Sequence, residues 1–201
     1  MSETVQLPAE LPFGSVDKKG PGWWGVLSLI ATEAALFGYL LFGYAFTAAV
    51  NGPGWGPSHP PSLRLAGPDT AVLLASSVAA WWGEMGAKAG RKGQGLVGAG
   101  LAFAAGAVFV AVQLVEWRGK PFTLSSSGYG SHYFTITGFH LAHVLAGLLG
   151  LLLIMIWTAA GYIDRQRHAA VTYVATYWHF VDAVWVVVFA SFYIAPRLGW
   201  P

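Results

Sequence analysis

The residue that points most directly to chemistry is an acid inside a long apolar run. Glu33 stands in LSLIATEAALFGYLLFGYAF, ten residues beyond Trp23. In a helix this spacing is about 15 Å, which places the carboxyl near the middle of a membrane. An ionisable side chain at that depth costs at least ~2.5 kcal/mol unless it faces protein or water. Glu33 is therefore either a proton-handling or subunit-contact carboxyl, or a neutral acid hydrogen-bonded to a neighbouring helix.

Two further pairs of polar residues lie three apart in apolar runs. His140 and His143 occur in TGFHLAHVLAGLLG, and His179 and Asp182 in YWHFVDAVW. Residues at this spacing project from neighbouring positions on one helix face. Three His with nearby carboxylates could hold a metal ion or haem. The alternative is a polar network in which His179 and Asp182 bridge neighbouring helices.

Two observations argue against the metal or haem interpretation. The sequence contains no Glu-x-x-His pair, which di-iron helical bundles use. The predicted topology also places His140 and His143 toward one side of the membrane and His179 toward the other. Sequence reasoning therefore favours the polar network and predicts no metal on this chain.

Glu116 closes another apolar run, with Gln113 on the same helix face one turn earlier. Arg118 and Lys120 follow directly. Glu116 is thus either an interfacial carboxylate beside basic neighbours or a residue with a chemical role.

Several classes of function are excluded by composition and motifs. The 201 residues include no Cys, so the chain has no disulfide, no thiolate nucleophile and no cysteine-ligated iron–sulfur cluster. It shows no Ser–His–acid signature, no Gly-rich phosphate loop and no H-E-x-x-H helix. Basic residues are scattered between apolar runs, so no nucleic-acid partner is predicted. No catalytic residue is predicted either.

The elements that must position these residues are membrane helices. Hydrophobic residues make up 55% of the chain and charged residues only 10%, unlike a soluble domain. Five runs reach the length of a membrane span, near 23–50, 70–87, 95–116, 133–160 and 171–195. The predicted fold is all-α, with residues 22–201 forming a single five-helix transmembrane domain and residues 1–21 a surface-lying tail. Ten aromatic residues near the ends are interpreted as an interfacial belt: Trp23, Trp24, Trp55, Trp81, Trp82, Trp117, Tyr133, Tyr162, Tyr173 and Tyr193.

The loop charges predict an orientation. With the N-terminus in the cytoplasm, seven basic residues lie on that side and four on the other. The seven are Lys18, Lys19, Lys88, Arg91, Lys92, Arg165 and Arg167, and the four are Arg64, Arg118, Lys120 and Arg197. We expect the N-terminus inside and the C-terminus outside, in a bacterial cytoplasmic membrane.

Four stretches together resemble subunit III of the haem–copper oxidases, most closely of cytochrome c oxidase in its five-helix form. They are TEAALFGYLLFGYAF around Glu33, DTAVLLASSVAAWW from Asp69, VQLVEWRGKPFTLSSSGYGSHYFTITGFHLAHVLAG from Val112, and TYWHFVDAVWVVVF from Thr176. Their order and spacing match that family across about residues 20–195.

The resemblance implies a non-catalytic subunit of a proton-pumping terminal oxidase in aerobic respiration. Subunit I, with haem and copper, reduces oxygen to water, and subunit II takes electrons from cytochrome c. The implied role is to stabilise subunit I against inactivation during turnover and to support proton uptake. No cofactor is implied on this chain itself, but bound phospholipid is. A quinol oxidase subunit III is the nearest alternative, and a stand-alone haem- or metal-binding membrane protein a more distant one.

The resemblance also implies roles for individual residues. Glu33 matches the membrane-embedded glutamate of the family that reacts with carbodiimides. Glu116 matches the acid of a Gln-x-x-Glu-aromatic segment, with Gln113 as its partner. The polar positions of the TGFH-x-x-H and WHFVD-x-VW motifs are His140, His143, His179 and Asp182. Arg165, Arg167 and His168 fall where family members carry basic residues that meet lipid phosphate.

Overall fold

Five α-helices follow one another along the chain in the computed structural model, which describes residues 20–52, 54–57 and 61–199. They are α1 (Pro21–Asn51), α2 (Leu63–Lys88), α3 (Lys92–Arg118), α4 (Gly128–Ala159) and α5 (Ala169–Phe189). A π-helical segment, Ala190–Ile194, and a 3-10 turn, Ala195–Leu198, continue α5. The predicted all-α membrane bundle is confirmed. Residues 1–19 of the predicted surface tail lie outside the described part.

All five helices begin earlier than predicted, and the difference is largest for α2 and α4. We expected α2 to start near Thr70, but the helix starts at Leu63, with Ser62 as its N-cap and Pro68 inside it. The Ser62 side chain accepts a hydrogen bond from the Arg64 amide. Pro68 is the sixth residue of α2 and has no amide hydrogen for the Arg64 carbonyl, so the helix continues past it with one hydrogen bond fewer. Ser127 caps α4 in the same way, through the Gly130 amide.

Four of the described helical segments are long and apolar enough to cross a membrane: α1, α3, α4 and the continuous segment Ala169–Leu198. The 26 residues of α2 are as long but less apolar. The physical reason is that α2 directs polar side chains inward, including Asp69, Thr70 and Ser76, which are all buried. A helix with a polar inner face needs less apolar sequence than one surrounded by lipid.

The packing order divides the bundle into two parts. Helices α2, α3, α4 and α5 pack around a common core, whereas α1 packs mainly against α4 and α5. The outer face of α1 is therefore unburied, with Tyr39 75% exposed. We call the end of the bundle at which α1 begins the proximal end, and the opposite end the distal end.

Small residues allow the closest helix approach. A Cβ on Gly98 of α3 would lie 2.4 Å from the Gly83 Cα of α2, so neither position admits a side chain. The large indole of Trp178 fills the space beside Gly106 and Gly147 in the same way. The core is thus built by pairing glycine with backbone or with a bulky ring.

Candidate functional site

Glu33 meets a histidine of another helix. Its Oε2 lies 2.9 Å from His143 Nε2, which joins α1 to α4. Both side chains are partly buried, at 24% and 14% exposed. The predicted hydrogen bond between Glu33 and a neighbouring helix is therefore present, with His143 as the partner.

The hydrogen bonds fix how many protons the pair carries. His143 Nδ1 lies 2.7 Å from the Phe139 carbonyl oxygen, which can only accept, so Nδ1 bears a hydrogen. The contact between Nε2 and Glu33 then needs one further proton, on either the carboxyl or the imidazole. In both cases Glu33 and His143 together hold one proton between them and carry no net charge. This charge state is the one that an apolar environment favours.

The pair borders a cleft of about 440 Å³ between α1, α4 and α5 in the proximal half of the bundle. The cleft walls are largely apolar and include Val26, Leu29 and Val174. Gly147 and Gly150 have no side chains, so they leave space on the α4 side of the cleft. The cleft can therefore take an apolar chain beside a single polar pair.

His140 has a different environment from His143. It is almost fully buried, and its Nε2 donates to the Val181 carbonyl of α5 at 3.2 Å. Its ring packs 4.9 Å from that of Trp185. A spacing of three thus directs one His toward α5 and the other toward α1, because the two side chains diverge around the helix.

His179 and Asp182 meet at one hydroxyl on another helix. The Ser77 hydroxyl of α2 donates to Asp182 Oδ2 and lies 3.0 Å from His179 Nδ1. Because the Ser77 hydrogen is used on the carboxylate, His179 Nδ1 must be the donor in the second bond. The structure thus shows a network bridging α2 and α5, as the polar interpretation predicts. Ser77 was missed, although a Ser pair in the apolar run DTAVLLASSVAAWW is a signal for it.

Replacing Ser77 with Ala should destabilise the bundle. Buried Asp182 and partly buried His179 would lose their shared partner, at a cost of about 1–3 kcal/mol. We expect a lower thermal midpoint for release of this chain from the purified complex. Ser191→Ala is the matched control, because that hydroxyl bonds only Val187 of its own helix. A midpoint for Ser77→Ala equal to that of the control would contradict the bridge.

Glu116 forms a second polar cluster at the distal end. Its Oε1 accepts from Lys120 Nζ at 2.6 Å and from the Tyr193 hydroxyl at 2.7 Å. The Tyr133 hydroxyl lies 3.0 Å from that of Tyr193. Because the Tyr193 hydroxyl donates its hydrogen to Glu116, the Tyr133 hydroxyl must donate to Tyr193. Lys120 also lies 5.0 Å from the centre of the Tyr133 ring.

Three sequence expectations change here. Gln113 is buried beside Glu116, but no hydrogen bond joins the two, and neither amide atom has a protein partner within 3.5 Å. Tyr133 and Tyr193 are fully buried cluster members rather than interfacial belt residues. The π-helical segment that contains Tyr193 explains its inward position, because the wider turn shifts the register of the side chains.

The basic loop between α4 and α5 lies at the proximal end. Arg167 forms a two-nitrogen ion pair with Asp164, through Nη2 at 2.6 Å and Nε at 2.9 Å. This guanidinium lowers the pKa of Asp164. The stabilisation from the ion pair is therefore complete above the ordinary aspartate pKa and is lost as the pH falls through the lowered pKa. His168 Nδ1 donates to the Arg165 carbonyl. In the described residues the Arg165 guanidinium has no such ion pair.

The three His that could hold a metal ion or haem do not converge. His140 faces α5, His143 faces Glu33, and His179 faces Ser77 of α2. Within the described residues, no three His, Asp or Glu side chains are grouped as metal ligands. What the arrangement can do is hold protons and join helices.

Comparison with known sequences gives a consistent result along nearly the whole chain. The family model for cytochrome c oxidase subunit III matches residues 18–196. This match spans all five helices, including Glu33, Glu116 and both His motifs.

Individual relatives agree with the family model. Cytochrome c oxidase subunit 3 of Danio rerio is 30% identical over 177 residues, covering 85% of this chain and 68% of that protein. The Artemia franciscana protein of the same name is 33% identical over 175 residues, covering 85% and 67%. That of Glycine max is 36% identical over 125 residues, covering 62% of this chain and 47% of the relative.

Proposed function

The chain belongs to the cytochrome c oxidase subunit III family, and on that premise we propose that it stabilises subunit I and supports proton uptake without a catalytic centre of its own. Family membership makes it a multi-pass membrane subunit of the oxidase complex. The observation that carries the finer proposal is the Glu33–His143 pair, which shares one proton beside an apolar cleft.

Support for the proton role comes from the two forms of this pair. The proton can lie on the carboxyl or on the imidazole, and neither form changes the net charge of the site. Moving the proton from the carboxyl to the imidazole creates an ion pair, but the net charge of the site stays zero, so no isolated charge is left among the apolar helices. A site of this kind can hold a transferable proton near a partner subunit without a water-filled path through the bundle.

Support for the stabilising role comes from the uncovered face of α1. Phe42 and Phe46 stack on each other and are 66% and 59% exposed, on the same helix as Glu33. Membrane helices associate through packing and polar contacts rather than through expulsion of water. We propose that partner oxidase subunits and lipid cover this chain in the assembly.

The redox chemistry of the proposed complex belongs to partner subunits. Haem and copper reside on subunits I and II, oxygen is reduced to water, and cytochrome c supplies the electrons. The stretch PFTLSSSGYGSHYF and Glu at position 33 favour cytochrome c over quinol as donor. The orientation with the N-terminus inside a bacterial cytoplasmic membrane is part of the same proposal.

Bound phospholipid is proposed in the cleft, with its phosphate at the proximal loop. The cleft and the Arg165 loop both lie in the proximal half of the bundle. Arg167 is already paired with Asp164, which leaves Arg165 to contact a phosphate.

Arg165→Gln should therefore reduce the anionic phospholipid that co-purifies with the complex. Arg167→Gln is the matched control and should have a smaller effect, because Asp164 already uses that guanidinium. Mass spectrometry of extracted lipid per complex measures both. An equal loss in the two variants, or no loss in either, would contradict this assignment.

Affinity purification of this chain from native membranes tests the proposal as a whole. We expect oxidase subunits I and II in equal amounts, with a haem spectrum that stays with subunit I when the subunits are separated. A stoichiometric haem band on this chain alone would overturn the proposal and favour a stand-alone haem protein.

A further inference from the structure

The distal cluster around Glu116 contains several buried polar atoms that the protein leaves without a partner. They are Asp69 Oδ1, Gln113 Oε1, Gln113 Nε2 and the Tyr129 hydroxyl. Gln113 is 1% exposed and Asp69 5% exposed. Buried polar groups are normally hydrogen-bonded, and leaving one unpaired is destabilising. The presence of four such atoms at one end of the bundle indicates a common ligand.

The helix register brings the two main residues to the same level. Gly83 of α2 touches Gly98 of α3, and the helices run antiparallel. Asp69 lies 14 residues before Gly83 in α2, and Val112 lies 14 residues after Gly98 in α3. Asp69 is therefore at the same level of the bundle as Val112 and its neighbour Gln113. The Asp69 carboxyl is also close enough to Glu116 for their charges to interact. The Tyr129 hydroxyl, from α4, is also close enough to Glu116 to interact with it, so the unpaired atoms surround Glu116 between α2, α3 and α4.

The unpaired atoms include both donors and acceptors. Asp69 Oδ1 and Gln113 Oε1 accept, Gln113 Nε2 donates, and the Tyr129 hydroxyl can do either. A cation would satisfy the oxygens and repel the amide hydrogens. Water satisfies all four atoms, because each molecule both donates and accepts.

The site has a route to the aqueous phase. Glu116 and Lys120 also line a cleft of about 700 Å³ between the start of α2 and the end of α3, with Ser62 and Arg64 opposite. The helix ends place this cleft at the distal surface of the bundle. Glu116 thus touches the cleft on one side and the Tyr193–Tyr133 chain on the other.

We propose that Asp69, Gln113, Glu116 and Tyr129 hold a cluster of ordered water molecules that exchanges with solvent through the distal cleft. The hydrogen-bond chain from Tyr133 through Tyr193 to Glu116 forms one wall of this hydrated site. The site is separate from the Glu33–His143 pair in the proximal half, so it does not depend on the proposed role in proton uptake.

Radiolytic hydroxyl-radical footprinting of the intact purified complex tests the proposal, because radicals formed from bound water modify the side chains beside it. Tyr133 and Trp178 are both fully buried, but only Tyr133 lies at the proposed water site. Trp178 donates to Ser76 and packs on glycines. We expect Tyr133 to be labelled several-fold faster than Trp178. Equal, slow labelling of both residues would overturn the proposal.

Gln113→Leu gives a second test, because it removes two of the four ligand atoms. Labelling of Tyr133 should fall several-fold in this variant. Gln94→Leu is the matched control, since Gln94 donates to the Trp82 carbonyl at the opposite end of the bundle. Unchanged Tyr133 labelling in Gln113→Leu would also overturn the proposal. If that variant does not assemble, the comparison of Tyr133 with Trp178 in the native complex still decides.

Discussion

Glu33→Gln is expected to abolish labelling of this chain by a hydrophobic carbodiimide, while the oxidase continues to reduce oxygen. The reagent partitions into the membrane and reacts with carboxyl groups that it reaches there. Glu33 borders an apolar cleft, so the reagent can reach its carboxyl group. The proton that it shares with His143 can also lie on that carboxyl group. Gln keeps the size of the side chain but has no carboxyl. Oxygen reduction persists because the proposed haem and copper centres lie on other subunits.

The experiment has a matched control in the same chain. Glu84 of α2 also lies within a helix, but it is paired with Lys88 at 2.7 Å and lies away from the cleft between α1, α4 and α5. Glu84→Gln should leave the labelling unchanged. Mass spectrometry of the labelled subunit measures both variants. Undiminished labelling in Glu33→Gln would show that another carboxyl is the reactive one.

Sequence patterns predicted the helices well because apolar run length is a strong signal in membranes. The errors came from local chemistry at the ends. The start of α2 was expected near Thr70, although a serine cap at Ser62 allows the helix to begin seven residues earlier. The predicted end of α5 also missed the π-helical segment, because a change of helical register leaves no clear mark in hydropathy.

The sites were predictable residue by residue but not partner by partner. Glu33, Glu116 and the His motifs stand out because charged groups in apolar runs are costly. Their partners come from other helices, and spacing within one helix does not say which. His143 was therefore expected beside His140 rather than at Glu33. Tyr193 was assigned to the interfacial belt because composition cannot distinguish a buried hydroxyl from an interfacial one.

Removing this chain should leave an oxidase that is active at first and then loses activity during turnover. The initial rate depends on the haem and copper centres proposed for subunits I and II. The persistence of activity during turnover depends on covering subunit I and on supplying protons to subunit I, which are the two roles proposed for this chain. Without the Glu33–His143 pair and the lipid cleft, both supports are lost together.

The most direct test of this account is the time course of oxygen consumption by the purified oxidase with and without the chain. We predict that both preparations are active at the start, that only the complex lacking the chain is progressively inactivated, and that a stable rate returns when the chain is present. A complex that stays active without the chain, or one that has no initial activity, would contradict the proposed role.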